Sequence, residues 1–286
     1  MVRLVTFGAW LGGAVLLASY AGAIHPIGDS FAVFRPQIAT GTLLLAVLAI
    51  RRTWATAVPG AAALLSLALL TLPRLAPQEP GPITVYQKNV LWNMESWDVL
   101  AADIRDASPD ILILQEMTRP NYRIVELVRD ILPNEVRCPG VSEDRINGVV
   151  IVTRFAIVPD GTSCFRGVLV GRLSTPVGEV TVAGVHLHWP WPRTQARQVS
   201  RIVPGLSELP RPVILAGDLN SAPWSHAAAR IGDAIAAKPI LPPVPSYPLL
   251  PLVTVPIDHV FADSGTLERR PLIGSDHYGV LARVTP

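Results

Sequence analysis

An acid and an amide follow an apolar segment in the second half of the chain. Residues 213–216 are all apolar, and Gly217, Asp218, Leu219 and Asn220 come directly after them. Side chains two residues apart in an extended chain project to the same side, so Asp218 and Asn220 are expected to lie together. A carboxylate can hold a hard cation or a water, and a neighbouring amide can donate to a phosphate oxygen. The same residue types also form turns and helix N-caps, so this motif alone leaves both interpretations open.

Polar residues of the same kinds follow other strand-like segments of the chain. They are Asn89, Gln115 with Glu116, His186, Asp258 with His259, and Asp276 with His277. An unpaired charge is costly to bury, so a carboxylate such as Glu116 beside an apolar segment needs a partner or a function. Each cluster has a structural explanation when taken by itself. Five of them in one region favour a single shared site.

The order of these clusters resembles the endonuclease/exonuclease/phosphatase superfamily, which includes DNase I-like nucleases, neutral sphingomyelinases and inositol polyphosphate phosphatases. The most specific elements are residues 217–220 (Gly-Asp-Leu-Asn) and 275–277 (Ser-Asp-His) in combination. The Trp-Pro-Trp-Pro segment at 189–192, with Trp224, is similar to the membrane-attached bacterial branch of that group. The resemblance covers about residues 83–284. It implies a four-layer α/β sandwich, a divalent metal (Mg²⁺ or Mn²⁺) and hydrolysis of a phosphate ester.

The resemblance and the side-chain chemistry together predict a metal site. Glu116 is expected to bind the metal directly, with Asn89 beside it and Asp276 as a further ligand. A hard cation that keeps most of its waters suits a small number of such oxygens together with a substrate phosphate.

The same reasoning predicts the catalytic residues. Asp218 would orient the attacking water or assist the leaving group, and Asn220 would donate to a phosphoryl oxygen. His277 would act as a general base or stabilise developing charge, backed by an acid that is either Asp258 or Asp276. His186 would be a second donor to the phosphate.

Two histidines beside the predicted site are assigned no catalytic role. His186 is preferred to His188 because it directly ends its strand. His259 should face away from Asp258 at strand period and is interpreted as structural.

Alternating apolar and amphipathic segments must position these side chains. The predicted strands are residues 83–89, 111–115, 148–153, 167–173, 180–186, 213–216, 257–262 and 279–284. The predicted helices are residues 95–107, 121–132, 193–206 and 225–237. Residues 239–256 contain seven prolines and are expected to be irregular. This mixture predicts two packed sheets with helices outside.

The first 76 residues are apolar and contain a single acid, Asp29. Apolar stretches at 4–24 and 54–72 are long enough to cross a hydrocarbon core of about 30 Å. A third stretch, 37–50, is short, and it either extends back through residues 31–34 or is re-entrant. We predict a transmembrane region of three helices at 1–76, a linker at 77–82 and a catalytic domain at 83–286. A cleaved signal peptide is the alternative for the first stretch.

Three spans with Arg3, Arg51 and Arg52 on the cytoplasmic side would place the catalytic domain outside the cytoplasm. Two spans would place it inside. The prediction is therefore a multi-pass cell-membrane protein with an extracytoplasmic domain. Cys138 and Cys164 form a disulfide in that compartment or remain two separate thiols, and the sequence leaves both open.

The charge balance limits the substrate classes. Residues 77–286 hold 19 basic and 21 acidic side chains, whereas proteins that track a duplex use a basic face. The sequence predicts a membrane-tethered, metal-dependent phosphoester hydrolase with no obligate protein partner. A nuclease acting on nucleic acid and a hydrolase acting on a phospholipid or its head group both remain open. A non-catalytic binding domain of the same fold is the alternative from another class.

Overall fold

The computed structural model describes residues 2–51, 53–137, 148–251 and 253–286. Its N-terminal part is helical. The helices are α1 (Val2–Ala18), α2 (Ile27–Val33), α3 (Arg35–Ile50) and α4 (Ala57–Thr71), with a 3-10 turn at Trp54–Thr56 before α4 and another at Leu72–Leu75 after it. Leu16, Ala39 and Ala63 form a small buried core between α1, α3 and α4.

The helices give weaker support for membrane spans than the three that the sequence predicted. Among the described residues, one continuous helix, Trp54–Thr71, is long and apolar enough to cross a bilayer. Helices α2 and α3 pass the same test only as a pair that bends by 74° at its break, and α1 is a shorter apolar helix. Pro26 precedes α2 and Pro36 is the second residue of α3, and prolines at these positions favour helix boundaries over a continuous helix.

The first of two six-stranded sheets has the strand order β13-β14-β1-β2-β4-β3. Its strands are β1 (Ile83–Asn89), β2 (Ile111–Met117), β3 (Asn134–Val136), β4 (Gly148–Thr153), β13 (Ser264–Arg270) and β14 (Gly279–Thr285). Strands β1 and β2 are parallel, and the other pairings in this sheet are antiparallel. Helices α5 (Trp97–Ala107) and α6 (Arg123–Val128) connect strands of this sheet, and a 3-10 turn at Pro120–Tyr122 leads into α6.

The second six-stranded sheet has the order β5-β6-β7-β8-β12-β9. Its strands are β5 (Ala156–Phe165), β6 (Val168–Thr175), β7 (Gly178–His186), β8 (Val213–Asp218), β9 (Lys238–Pro239) and β12 (Asp258–Ala262). Strands β7 and β8 are parallel, and β12 runs antiparallel to β8. Helices α7 (Gln195–Ser207) and α8 (His226–Ile235) belong to this half of the molecule.

Three buried clusters give the layer order. One contains apolar side chains from both sheets and lies between them, among them Ile113 and Ile214. A second packs α5 and α6 on the first sheet, and a third packs α7 and α8 on the second. This arrangement is a mixed α/β fold with two packed sheets and helices outside, as the sequence predicted.

The expectation of an irregular segment at 239–256 is wrong. Strands β10 (Tyr247–Leu250) and β11 (Val253–Val255) form a two-stranded ladder there, and Pro239 ends β9. Proline is tolerated at the edge of a sheet, where its missing N–H removes no ladder hydrogen bond. In a two-stranded ladder such as β10–β11, both strands are edge strands.

Strands β3, β5 and β13 were missed from the sequence, and helix α6 is shorter than predicted. Each missed strand lies at the edge of its sheet. Strand β5 is mostly exposed or partly buried with no regular alternation, and β13 carries three charged residues in a row at its end. An edge strand needs less apolar surface, so its alternating pattern is weak.

The parallel pairs at the centre of each sheet position the polar residues. Asn89 ends β1, Glu116 lies near the end of β2, His186 ends β7 and Asp218 ends β8. Parallel strands present their carboxyl ends at the same edge of a sheet. The two edges meet at one end of the sandwich, where Asn89 Nδ2 lies 3.1 Å from Asp218 Oδ2.

Candidate active site

Asp218 is a buried carboxylate at the centre of the candidate site. Its Oδ1 accepts from the backbone N–H of Asn220 at 2.8 Å, and its Oδ2 accepts from Asn220 Nδ2 at 3.2 Å and Asn89 Nδ2 at 3.1 Å. Gly217 makes this position possible, because a Cβ there would lie 1.8 Å from the Val185 carbonyl oxygen.

Asn220 lies beside Asp218, as its spacing predicted. Its Nδ2 donates both to Asp218 Oδ2 and to the Leu187 carbonyl oxygen, the latter at 2.9 Å. Both amide hydrogens therefore have acceptors in the protein, and the residue fixes the orientation of Asp218. Donation from Asn220 to a substrate stays a prediction.

Glu116 and Asn89 form the second part of the site. Asn89 Nδ2 donates to Glu116 Oε1 at 3.0 Å, and the backbone N–H of Trp92 donates to Glu116 Oε2 at 3.1 Å. Glu116 lies at an irregularity in the pairing of β2 with β4, with a φ of 55°. Such bulges redirect a side chain away from the regular pattern of the strand. The Asn89 amide thus bridges the carboxylates of Glu116 and Asp218.

His277 and Asp258 form a buried acid–imidazole pair. His277 Nδ1 lies 2.7 Å from Asp258 Oδ2, and Gln87 Nε2 donates to Asp258 Oδ1 at 2.9 Å. Asp258, and not Asp276, is therefore the carboxylate paired with His277. The other ring nitrogen, His277 Nε2, lies 3.7 Å from Asp218 Oδ2.

The pKa values of this pair favour its ionised form. Burial by itself lowers the pKa of His277, but the charge and hydrogen bond of Asp258, followed by the charges of Asp218 and Asp276, raise it to about 10. Burial by itself raises the pKa of Asp258, but the charge and hydrogen bond of His277 leave it below its usual value. The site thus presents an imidazolium to its interior at neutral pH.

Burial also raises the pKa of Asp218, with a smaller contribution from the Asp258 charge, to about 6, against the opposing effect of His277 and His186. A carboxylate with a pKa close to the working pH can accept a proton and release it again.

Of the other three histidines that the sequence analysis considered, one faces the site and two do not. His186 Nε2 lies 3.5 Å from Asp218 Oδ2. His188 Nδ1 lies 2.7 Å from Thr194 Oγ1, and His259 Nε2 lies 2.8 Å from the Ser221 carbonyl oxygen. The preference for His186 and the structural interpretation of His259 agree with these contacts.

Lys88 supports the site and was not singled out from the sequence. It is fully buried in β1, and its Nζ donates to the carbonyl oxygens of Pro271, Leu272 and His277 at 3.2, 2.8 and 2.6 Å. Burial lowers the pKa of Lys88 to about 8 against nearby carboxylates. Its three contacts hold the segment that carries Asp276 and His277. The sequence did contain an indication of Lys88, because it stands between two other polar residues, Gln87 and Asn89, at the end of a buried strand.

Tyr247 was also missed, because the proline-rich segment has no readable pattern. Its ring lies 4.8 Å from the His277 ring. Partial burial raises the pKa of Tyr247, and the charges of Asp276, Asp218 and Glu116 raise it further. All three carboxylates therefore act electrostatically on Tyr247 at this end of the sandwich.

The donor set at this end of the sandwich fits a hard divalent cation. The Oδ1 atom of Asp276 is buried and has no hydrogen-bond partner in the part of the chain that the structure describes. Ligand atoms of Asp218, Asp258 and His277 also lie within 4.8 Å of one another. The hydrogen bond between Asp258 and His277 occupies two of those three groups, so the carboxylates of Glu116 and Asp276 suit a metal better. Ligation by Asn89, Glu116 and Asp276 stays a prediction.

Solved structures of similar fold include SmcL and a beta toxin. SmcL is 13% identical with a TM-score of 0.57, over 72% of this chain and 100% of that one. A double mutant of beta toxin from Staphylococcus aureus, with bound magnesium ions, is 14% identical with a TM-score of 0.54, over 71% and 99%.

An endonuclease/exonuclease/phosphatase protein from Beutenbergia cavernae is 20% identical with a TM-score of 0.51, over 71% of both chains. No curated protein matches the chain in sequence. The sequence profile described as the endonuclease/exonuclease/phosphatase family matches residues 90–277, which is more than half of the chain and includes the site from Glu116 to His277. The chain belongs to the endonuclease/exonuclease/phosphatase family.

Proposed function

We propose that this protein is a membrane-attached, divalent-metal-dependent hydrolase of phosphate diesters. The observation that carries the proposal is the arrangement around Asp218 Oδ2. Asn89 Nδ2 lies 3.1 Å from this oxygen, His186 Nε2 3.5 Å and His277 Nε2 3.7 Å. A carboxylate able to accept a proton thus faces two imidazoles able to donate to a phosphoryl group.

The reaction follows from these atoms. A water held by Asp218 Oδ2 attacks phosphorus, the new P–O bond forms as the ester P–O bond breaks, and Asp218 takes the proton of the water. His277 is protonated at neutral pH, so it stabilises charge on the phosphoryl oxygens and does not act as the base. His186 is the second donor. The leaving oxygen takes a proton from solvent.

A divalent cation, Mg²⁺ or Mn²⁺, bound by Glu116 with Asn89 and Asp276, would supply further positive charge to the phosphoryl oxygens. The magnesium ions in the beta toxin structure support the choice of metal.

Membrane attachment by a multi-pass region is supported by α4 and by the packing of the other helices. Gly8 lies against Leu45 and Gly12 against Thr42, so α1 and α3 are antiparallel. Arg3 and Arg51 are therefore at the same end of the bundle. The other end contacts the catalytic domain, where Trp224 Nε1 donates to the Ala32 carbonyl oxygen at 2.7 Å.

Basic residues favour the cytoplasmic side, so this arrangement favours an extracytoplasmic catalytic domain. Cys164 is disulfide-bonded, which fits an oxidising compartment, and Cys138 lies outside the described residues. Attachment of a thiol-reactive, membrane-impermeant label to a cysteine placed at exposed Asp233 in intact cells would test this orientation.

A phospholipid or its head group is the favoured diester. Val33 of α2 packs with Val255 and Ile257, and the same cluster includes Trp189 and Tyr247. Tyr247 in turn contacts His277. The membrane-proximal helix α2 therefore lies against the rim of the site. The domain's slight excess of acidic residues also disfavours a long nucleic-acid contact.

The test uses the full chain in neutral detergent with bis(p-nitrophenyl) phosphate, then phosphatidylcholine vesicles and plasmid DNA as separate substrates. With Mg²⁺ we expect hydrolysis that falls by more than tenfold in Asp218→Ala and in His277→Ala. Asp233→Ala, an exposed carboxylate on α8, is the matched control. A smaller loss in both site variants would refute the assigned mechanism, and preferential cleavage of DNA would refute the lipid substrate.

A further inference from the structure

A cavity of about 410 Å³ lies on the second sheet's side of the molecule, outside the hollow that contains Asp218. It is formed where the first half of α7 faces the turn between β5 and β6. The lining residues are Arg166, His188, Thr194, Arg197, Gln198 and Arg201. A volume of this size accommodates one small polar group.

Among the described residues that line the cavity, three are arginines and none is acidic. Arg197 and Arg201 are four residues apart on α7, so they share one helix face, and Arg166 reaches the cavity from the turn opposite. None of the three guanidinium groups forms a salt bridge within the described ranges, and no carboxylate lines the cavity. Three like charges that converge without an acid create a field that an anion would neutralise.

The other polar groups of the wall are already used within the protein. Gln198 Oε1 accepts from the backbone N–H of His188 at 2.9 Å, and His188 Nδ1 lies 2.7 Å from Thr194 Oγ1. These bonds fix the wall, and the guanidinium groups remain available for a ligand. Guanidinium binds phosphate through paired, geometrically matched hydrogen bonds.

The cavity is close to the membrane-proximal helix α2. Three residues after His188, the backbone N–H of Trp191 donates to Ser30 Oγ at 3.0 Å, and Ser30 Oγ donates to the Trp191 carbonyl oxygen at 3.1 Å. Three residues of extended chain span about 10 Å. The wall at His188 is therefore within about 10 Å of the end of the helical bundle that contacts the catalytic domain.

We propose that the arginine cavity (Arg166, Arg197 and Arg201) binds the phosphate group of an anionic phospholipid at the membrane surface. The inference rests on the membrane attachment proposed above, which brings head groups to this side, and not on the hydrolytic reaction. Nucleic acid fits less well, because three arginines in one cavity do not form the extended basic face that a polynucleotide contacts.

The test is binding of dihexanoyl phosphatidylglycerol to the full chain in neutral detergent, measured by titration calorimetry. EDTA is present throughout, so that the hollow beside Glu116 holds no metal. We expect the double variant Arg197→Gln/Arg201→Gln to bind at least tenfold more weakly than wild type. Arg193→Gln changes a neighbouring exposed arginine that does not line the cavity, and it should bind like wild type.

Inorganic phosphate and a single-stranded oligonucleotide are titrated separately. Inorganic phosphate bound as tightly as the lipid, with the same dependence on Arg197 and Arg201, would overturn a lipid source. Tighter binding of the oligonucleotide would assign the cavity to nucleic acid and also overturn the proposal, as would equal lipid binding by all three proteins.

Thermal unfolding shows whether the double variant remains folded, and its melting temperature and its hydrolysis of bis(p-nitrophenyl) phosphate with Mg²⁺ should both match those of wild type. If the proposed hydrolase function is wrong, wild type will not hydrolyse the diester, and lipid binding will be unchanged. The two proposals therefore fail separately.

Discussion

Asp258 binds one ring nitrogen of His277 and so directs the other towards Asp218. The Asp258 Oδ2 to His277 Nδ1 distance is 2.7 Å, and the His277 Nε2 to Asp218 Oδ2 distance is 3.7 Å. Strand pairing sets this relationship, because Asp258 on β12 lies directly opposite Asp218 on β8. Two buried carboxylates thus share one imidazolium, which stabilises the charge of both.

Asp258→Asn tests whether this pair matters for the reaction. The amide keeps the shape but removes the charge that raises the pKa of His277, so less imidazolium is present at neutral pH. We expect kcat to fall by about 100-fold or more, within the range of contributions from positioned proton donors. The measurements are kcat with the generic diester and titration of the His277 ring by NMR.

Asp263→Asn is the control, since Asp263 is exposed at the turn before β13. An Asp258→Asn protein with an unchanged His277 pKa, or with nearly full activity, would contradict the assigned role of the pair.

The pKa of Asp218 predicts an acid limit of activity. Since the folded-state value of about 6 is above the ordinary 3.8, Asp218 becomes protonated as the pH falls through 6 and can no longer accept a proton from water. Activity should fall about tenfold per pH unit below that point. At saturating Mg²⁺, a plot of log kcat/KM from pH 4.5 to 8 checks this, and a flat profile would rule out Asp218 as the base.

Ionisation of Asp218 should lower the free energy of unfolding, so the pH dependence of stability is opposite to that of activity. Between about pH 3.8 and 6 the folded state binds more protons at Asp218 than the unfolded state does. The contribution of Asp218 to the free energy of unfolding is therefore present at low pH and is lost as the pH rises through 6. Asp218→Asn should remove this dependence, which chemical denaturation at several pH values would measure.

The sequence predicted the polar strand ends but not the contacts that join them. Asn89 and Glu116 follow parallel strands of one sheet, and Asp218 follows a parallel strand of the other, so each group lies at the carboxyl-end edge of its own sheet. The packing of the two sheets, which has no local sequence signal, brings the two edges together. The choice between Asp258 and Asp276 as the partner of His277 depends on which strands pair, and strand pairing has no local sequence signal. Strand period did separate His259 from Asp258, because neighbouring side chains in a strand point to opposite faces.

The supporting residues were harder to find for physical reasons. Tyr247 lies in the proline-rich segment, where no periodicity indicates a strand or a buried face. Lys88 bonds to carbonyl oxygens about 185 residues later in the chain. Because every residue has a backbone carbonyl, the sequence of the accepting segment does not indicate such a contact. The edge strands β5 and β13 are polar, so apolar alternation did not predict them.

Glu116→Gln tests the metal site. The substitution keeps the length of the side chain and an acceptor oxygen but removes the charge that a hard cation prefers. We expect EDTA to abolish hydrolysis and Mg²⁺ to restore it, with the half-saturating Mg²⁺ concentration raised at least about tenfold in the variant. Titration of activity with Mg²⁺ after EDTA treatment is the measurement.

Glu95→Gln changes an exposed carboxylate outside the site and should respond to Mg²⁺ like wild type. Hydrolysis that persists in EDTA, or an identical Mg²⁺ response in Glu116→Gln, would show that the reaction does not use this metal site.

The Asp29 side chain joins the helical region to the α/β domain. It is the single acid among the first 76 residues, and it lies buried in α2. Its Oδ1 accepts from the backbone N–H of His226 at 2.8 Å and its Oδ2 from that of Ala227 at 3.0 Å, at the first turn of α8. A carboxylate there satisfies two N–H groups that the helix cannot, and it interacts favourably with the helix dipole.

Asp29→Ala should therefore lower the free energy of unfolding by about 2 kcal/mol, as expected for the loss of a charged helix cap. Asp29→Asn keeps one acceptor oxygen and should cost less, while Glu79→Ala in the exposed linker should cost nothing measurable. Thermal unfolding of the full chain in detergent gives the order of the three variants. Because α2 packs against the rim at Tyr247, we also expect Asp29→Ala to raise KM for vesicle substrate while kcat for the soluble diester changes less than about threefold. A melting temperature of Asp29→Ala equal to that of Glu79→Ala would mean that this contact does not hold the two parts together.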